Sequence, residues 1–167
     1  MIIPSLIAAA LTFAAPEQMA QAGHVYKQAY QQKASNGRAI YEYTDNNESV
    51  QNWTRLVTLN YTPQLRVDAQ TWANATMKAL QANPAKPAHQ LDVKGANAYA
   101  QMVFEPDAAN PEYEANVQKS FHVADCGTVI LQYAVKYPKG SDLTTIKAEN
   151  ARIAVQLEQD MWQPACQ

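Results

Sequence analysis

Two periodicities divide this chain. Alternation of apolar and polar residues runs through most of residues 39–137, and helical spacing interrupts it in the middle and replaces it at the end. The stretch "NWTRLVTLNYT" puts Trp53, Arg55, Val57, Leu59 and Tyr61 on one side of a strand, with Thr54, Leu56, Thr58 and Asn60 on the other. The first set is the core-facing one. Arg55 in it must snorkel or find a partner, and Leu56 is the apolar exception on the polar side. "TVILQYAVKY" is the clearest strand, with Val129, Leu131, Tyr133, Val135 and Tyr137 on a single face; Ile130 and Ala134 behind them imply partial cover on both sides. "AIYEYT" gives a shorter strand ahead of the "DNNESV" turn. "QLDVKGANAYAQMVFEP" reads as strand material interrupted near Gly95, and "YEANVQKSFHV" as a further strand.

Helical spacing first appears in "RVDAQTWANATMKALQA", where Ala69, Trp72, Ala73, Thr76 and Leu80 share a face. Asp68 suits the N-terminal end of that helix, and Asn83-Pro84 ends it. A second helix follows "PKGSDL", with Ser141 expected as its N-cap. Its stripe is Leu143, Ile146, Asn150, Ile153, Ala154, Leu157 and Met161, in which Asn150 is expected to bond to backbone. The predicted order is β-β-α-β-β-β-α. Short turns between strands imply antiparallel pairing, and two amphipathic helices need a sheet to cover. The expected fold is therefore α+β: a two-layer sandwich of about five mostly antiparallel strands with both helices on one face.

The N-terminal residues belong to neither pattern. An apolar run from Ile2 to Ala15 meets Pro16, and an A-x-A site follows at Ala20-Gln21-Ala22. That order is expected of a secretory signal peptide over 1–22, with the mature chain beginning at Gly23. The run is shorter than the roughly 20 residues of a spanning helix. Residues 23–38 are polar and Gln-rich and read as an arm or short helix, leaving 39–167 as a single domain.

Export changes how the cysteines are read. Cys126 and Cys166 are the only two in the chain, and an even pair in an oxidising compartment points to a disulfide. The rival reading is a thiol nucleophile or metal ligand at Cys126 with His122 and Asp125. Along a strand, however, residues 122 and 126 stand about 13 Å apart, and the other histidines have no ligand-like spacing. No metal, cofactor or catalytic residue is assigned. Nucleophile elbows, phosphate loops and dinucleotide fingerprints do not occur.

Charge excludes one class of partner. Thirteen basic residues against 15 acidic ones, without a basic stripe, do not suit nucleic acid. The residues Glu48, Val50, Asn52, Trp53, Thr54, Leu56, Val57 and Thr58 form an E-x-V-x-N-W-T-x-L-V-T segment. It resembles a segment of small exported bacterial proteins of uncharacterised function, a resemblance that implies export and no particular activity.

The functional expectation is an exported binding or accessory protein, periplasmic or secreted, that contacts another envelope or secreted protein and is not inserted in the membrane after signal cleavage. Its candidate surface is the open sheet face or the first hairpin, where Trp53 and Leu56 lie on opposite sides, with His122 a further candidate. The alternatives are a small hydrolase or thiol enzyme using Cys126 and His122, and a carrier holding a small apolar ligand near Trp72, Met102 and Phe104.

Overall fold

A computed structural model describes residues 11–45 and 47–167 of the chain. The elements in order are β1 (Phe13–Ala14), β2 (Gln18–Gln21), β3 (His24–Lys33), β4 (Ala39–Thr44), β5 (Arg55–Pro63), α1 (Ala69–Ala82), β6 (Ala88–Lys94), β7 (Asn97–Phe104), β8 (Tyr113–Val123), β9 (Gly127–Tyr137), α2 (Leu143–Gln159) and β10 (Ala165–Cys166). Eight strands form one antiparallel sheet in the order β2-β3-β4-β5-β9-β8-β7-β6, curled into a half-barrel, and β1 pairs separately with β10.

This corrects the expected fold. The sheet has eight strands instead of about five, and the two helices do not share a face. Successive residues of β7 point to opposite sides. Ala98, Ala100 and Met102 pack against Ala69, Ala73 and Leu80 of α1. Val103, on the other side, packs with Ala115 against Ile146 of α2. Both faces of β7 are thus buried, which is why its sequence reads as a nearly continuous apolar run.

The missed strands have identifiable reasons. In the segment expected as an arm, β3 lies near the sheet edge and is exposed at nearly every position except Tyr26, so its composition is polar despite its strand geometry. At Gly95, φ is +59°, a conformation glycine adopts without steric penalty, and the chain reverses there into the β6–β7 hairpin. The expected leader also overlaps folded structure. Residues 1–10 lie outside the described residues, but Phe13 of β1 and Met19 of β2 are buried in the main core.

That core lies on the inner side of the curl. Tyr41, Tyr43, Val57, Leu59, Tyr61, Val117, Phe121, Val129, Leu131 and Tyr133 meet Ile153, Ala154 and Leu157 of α2 there. The odd-numbered positions of β5 and β9 therefore face inward, as their alternation predicts. Curling is visible in one contact. Tyr26 on β3 and Tyr133 on β9 are three strands apart, about 14 Å in a flat sheet, yet their ring centroids are 5.9 Å apart.

Each helix begins on an aspartate. Asp68 accepts from the Thr71 N–H and Asp142 from the Thr145 N–H. The N-cap of α2 is thus Asp142 and not Ser141. Its far end is closed by a side chain from the sheet: Lys119, only 3% exposed, donates through Nζ to the carbonyls of Leu157 at 3.1 Å and Asp160 at 3.2 Å. Burial holds its pKa below the usual lysine range, partly offset by Asp160 and Glu158. An ammonium at helix-terminal carbonyls also meets the negative end of the helix dipole. Asn150 bonds to backbone as expected, donating to the carbonyls of Met102 and Asn116. Met161 lies past the end of α2 and is exposed.

Residues 12–14 and 165–167 meet at one end of the half-barrel. Phe13 pairs with Cys166 and Ala14 with Ala165, while Thr12 and Gln167 exchange backbone bonds of 2.9 and 3.0 Å. Cys126 and Cys166 are joined in a disulfide with a Cα–Cα distance of 6.2 Å. Phe13 then stacks on Tyr41 and Tyr61, and the Tyr61 hydroxyl donates to the Cys126 carbonyl at 2.9 Å. Beside this bond Gly127 has φ +141°, and a Cβ there would fall on the Thr62 carbonyl and lie 2.9 Å from Pro63 Cα.

Candidate functional site

The residues selected from sequence do not form one site. Trp53 and Leu56 lie at one end of the sheet, where Lys136 Nζ sits 4.3 Å from the Trp53 ring centroid. Leu56 is buried in register between Thr44 and Ala134, so it does not extend an exposed apolar patch. His122 is exposed opposite Thr128, at the other end of β9 from Ala134. Roughly 20 Å separates the two ends. Cys126 is 2% exposed and disulfide-bonded, and among the described residues no cysteine is free, so the thiol-enzyme alternative loses its nucleophile. Trp72, Met102 and Phe104, the expected lining of a ligand cavity, pack instead with Leu80 and Ala100 beneath α1.

A different group of polar side chains does converge. At the end of the half-barrel away from the disulfide, a small cleft of about 80 Å³ is lined by His24, Arg55, Tyr133, Tyr137, Glu149 and Arg152, with Ala22, Val135 and Ile153 among the apolar walls. Strand register explains the convergence. Arg55 is the first residue of β5 and pairs with Val135, while Tyr133, Val135 and Tyr137 are successive inward positions of β9. The β2–β3 turn supplies Ala22 and His24, and α2 supplies Glu149, Arg152 and Ile153.

Hydrogen bonds order the cleft. The hydroxyls of Tyr26 and Tyr133 are 2.9 Å apart. Tyr137 donates to Glu149 at 3.0 Å, and Arg152 stands 3.9 Å from the same carboxylate. Burial pushes the Tyr26, Tyr133 and Tyr137 hydroxyls above the usual phenol range. At Tyr133 its hydrogen bond with Tyr26, the neighbouring Arg55 charge and a hydrogen bond from the Arg55 guanidinium pull in the opposite direction. The three phenols therefore stay protonated, and each can donate, at neutral pH. Glu48 bonds to the Thr54 N–H and hydroxyl and, at 3.5 Å, to the Arg55 backbone N–H. It anchors the start of β5. Among the described residues no carboxylate lies within 4.0 Å of the Arg55 guanidinium.

The arrangement suits binding more readily than bond-breaking. Its ionisable groups are Arg55, Arg152, His24, protonated phenols and the Glu149 carboxylate engaged by Tyr137 and Arg152, a donor-rich set suited to holding an anion. Among the described residues no His, Cys, Asp and Glu cluster could hold a metal ion. The model of a protein family of uncharacterised function matches residues 13–162 of the chain. The chain belongs to that family. The family span begins with β1 and takes in Tyr26, Arg55, Tyr133, Tyr137 and Glu149, whereas Cys166 lies beyond it. No curated protein and no solved structure matches the chain.

Sequence reasoning singled out Arg55 as an anomaly on a core face and placed Tyr133 and Tyr137 together. It missed Tyr26, because β3 carried no strand signal, and Glu149, which lies between two positions of the α2 apolar stripe. The usable signal was a charged residue in an otherwise apolar alternation.

Proposed function

We propose that this protein is an exported accessory protein, periplasmic or secreted, that acts by binding a partner in the envelope and has no catalysis of its own. The Cys126–Cys166 disulfide is the observation that carries this reading. Such bonds persist where the environment is oxidising, and this one ties the C-terminus to the sheet of a small domain. The resemblance of the Glu48–Thr58 segment to exported bacterial proteins supports the same compartment. Among the described residues no helix is long and apolar enough to cross a membrane.

The leader is reconsidered within this reading. A mature chain starting at Gly23 would lack Phe13 and Met19, two buried core side chains. Their burial favours processing ahead of Thr12 over processing at Ala22. The test is to express the full chain in a bacterial host, fractionate it, and weigh the protein after alkylation with and without reductant. Recovery outside the cytoplasm, with Cys126 and Cys166 alkylated only after reduction, is the expected result. Recovery only in the cytoplasm, with both thiols free, would overturn the reading, and the mass reports where processing occurs.

A further inference from the structure

We propose that the cleft between β9, α2 and the β2–β3 turn binds a carboxylate group, held by Arg55 with the Tyr133 hydroxyl, which Tyr26 positions from behind. This rests on the binding reading above and names the chemistry of what is bound.

A count of donors against acceptors carries the inference. Two hydroxyls that bond to each other use one proton between them. With Tyr26 donating across their 2.9 Å contact, the Tyr133 proton, on the hydroxyl that lines the cleft, has no acceptor among the described residues. Beside them is the Arg55 guanidinium, with five N–H donors and no carboxylate within 4.0 Å among those residues. The acceptor lining the cleft, the Glu149 carboxylate, already takes the Tyr137 proton and faces Arg152. Arg152 offsets its charge. His24 is set 4.0 Å from Asp45. Glu48, the remaining nearby acid, is directed at backbone N–H groups. The cleft thus offers more donors than acceptors around Arg55.

Size and shape narrow the class. The volume of about 80 Å³ is enough for a carboxylate headgroup whose remainder extends out of the cleft. A planar guanidinium matches a carboxylate in two parallel hydrogen bonds, which a tyrosine hydroxyl can supplement from the side. The carboxylate could belong to a small free acid or to the end of a polypeptide, and the two sources share this recognition.

The test is a titration of the ¹⁵N-labelled, disulfide-intact protein at constant ionic strength, following the amides of β5 and β9. The probes are sodium acetate, a trialanine peptide with a free C-terminus, and the same peptide as its amide. Saturable shifts around Arg55 and Tyr133 with acetate and with the peptide acid, but not with the amide, are expected. Binding should weaken at least tenfold in Arg55→Gln, severalfold in Arg55→Lys and in Tyr26→Phe, and stay unchanged in Arg66→Gln, whose ion pair with Asp125 lies on the surface. Saturation by the peptide acid alone would support the proposal with a chain end as the source. Shifts that stay linear for every probe, or affinities unchanged in a folded Arg55→Gln, would overturn it; if that variant does not fold, Arg55→Lys and Tyr26→Phe decide. The measurement is independent of compartment. Protein recovered from the periplasm that fails to bind ends this inference and leaves the export reading standing, and cytoplasmic, reduced protein that binds does the reverse.

Discussion

Reducing Cys126–Cys166 should lower stability by an amount that the loop length sets. The bond closes a separation of 40 residues. In the chain-entropy description, releasing such a loop frees the unfolded chain by about 4 kcal/mol. Little of that should be recovered on the folded side. After reduction β10 can remain paired with β1, Thr12 and Gln167 can keep their backbone bonds, and Phe13 can stay on Tyr41 and Tyr61. The native state then changes little while the denatured ensemble expands. For a domain of this size the loss corresponds to a fall in Tm of roughly 8–16 °C. Urea unfolding followed by tryptophan fluorescence, with and without reductant, measures it. The midpoint should fall and the m-value should rise, because a chain without the cross-link exposes more surface on unfolding. The double variant Cys126→Ala, Cys166→Ser should reproduce the reduced protein apart from a small packing loss at Cys126. Unchanged midpoints in samples whose two thiols are fully alkylated would refute the reasoning, since the cross-link would then constrain nothing.

Gly127→Ala should cost about 3 kcal/mol or more, because the new methyl meets the backbone of Thr62 and Pro63 at a positive φ that alanine resists; thermal unfolding checks it, and a loss below 1 kcal/mol would count against the geometry. Lys119→Met keeps the buried stem but leaves the Leu157 and Asp160 carbonyls without their donor, and a net loss of about 1–3 kcal/mol is expected after the relief of ammonium burial. Hydrogen exchange should show the last turn of α2 opening most in that variant. Alkaline pH should also destabilise the fold. Burial raises the pKa of Tyr26, Tyr43, Tyr99, Tyr133 and Tyr137, so their contribution is complete below the unfolded phenol value near 10 and is lost as pH rises through their folded values. Lys119, shifted down, acts in the opposite sense: the unfolded chain keeps that proton longer, and stability rises with pH up to about 10.4. Absorbance near 295 nm should therefore show a group of tyrosines that ionise only as the protein unfolds, and ionisation of all nine in one step before unfolding would contradict it.

Strands such as β5 and β9 were legible because one side is core and the other is not, so their alternation survives in the sequence. The helices were legible for the same reason. What failed was relative placement. Since β7 is buried by α1 on one side and by α2 on the other, its residues give no sign of which helix takes which face, and both were assigned to one. β3 failed for the opposite reason: apart from Tyr26 it buries almost nothing, and its glutamines resemble loop residues. The candidate cleft inherits both problems. Arg55 was visible as a charge out of pattern, but its hydroxyl neighbours come from β3 and from the curl of the sheet, neither of which is local information. Trp53, Leu56 and His122 were chosen strand by strand, with Trp53 and Leu56 on opposite sides of one strand, and local position does not show which residues the fold brings to one surface.

The clasp between Thr12 and Gln167 imposes an order of events on the protein's synthesis. A chain is made from its N-terminus, and β1 has no strand to pair with until Ala165 and Cys166 have been made. Early strands must therefore wait for late ones: β5 also pairs with β9, across the whole of α1 and the β6–β8 meander. Folding of the complete domain is thus confined to the time after residues 165–167 have been made. The same clasp fixes where additions can go. A tag joined after Gln167 emerges at the Tyr61 pole, about 20 Å along β5 from Arg55, and leaves the cleft unobstructed.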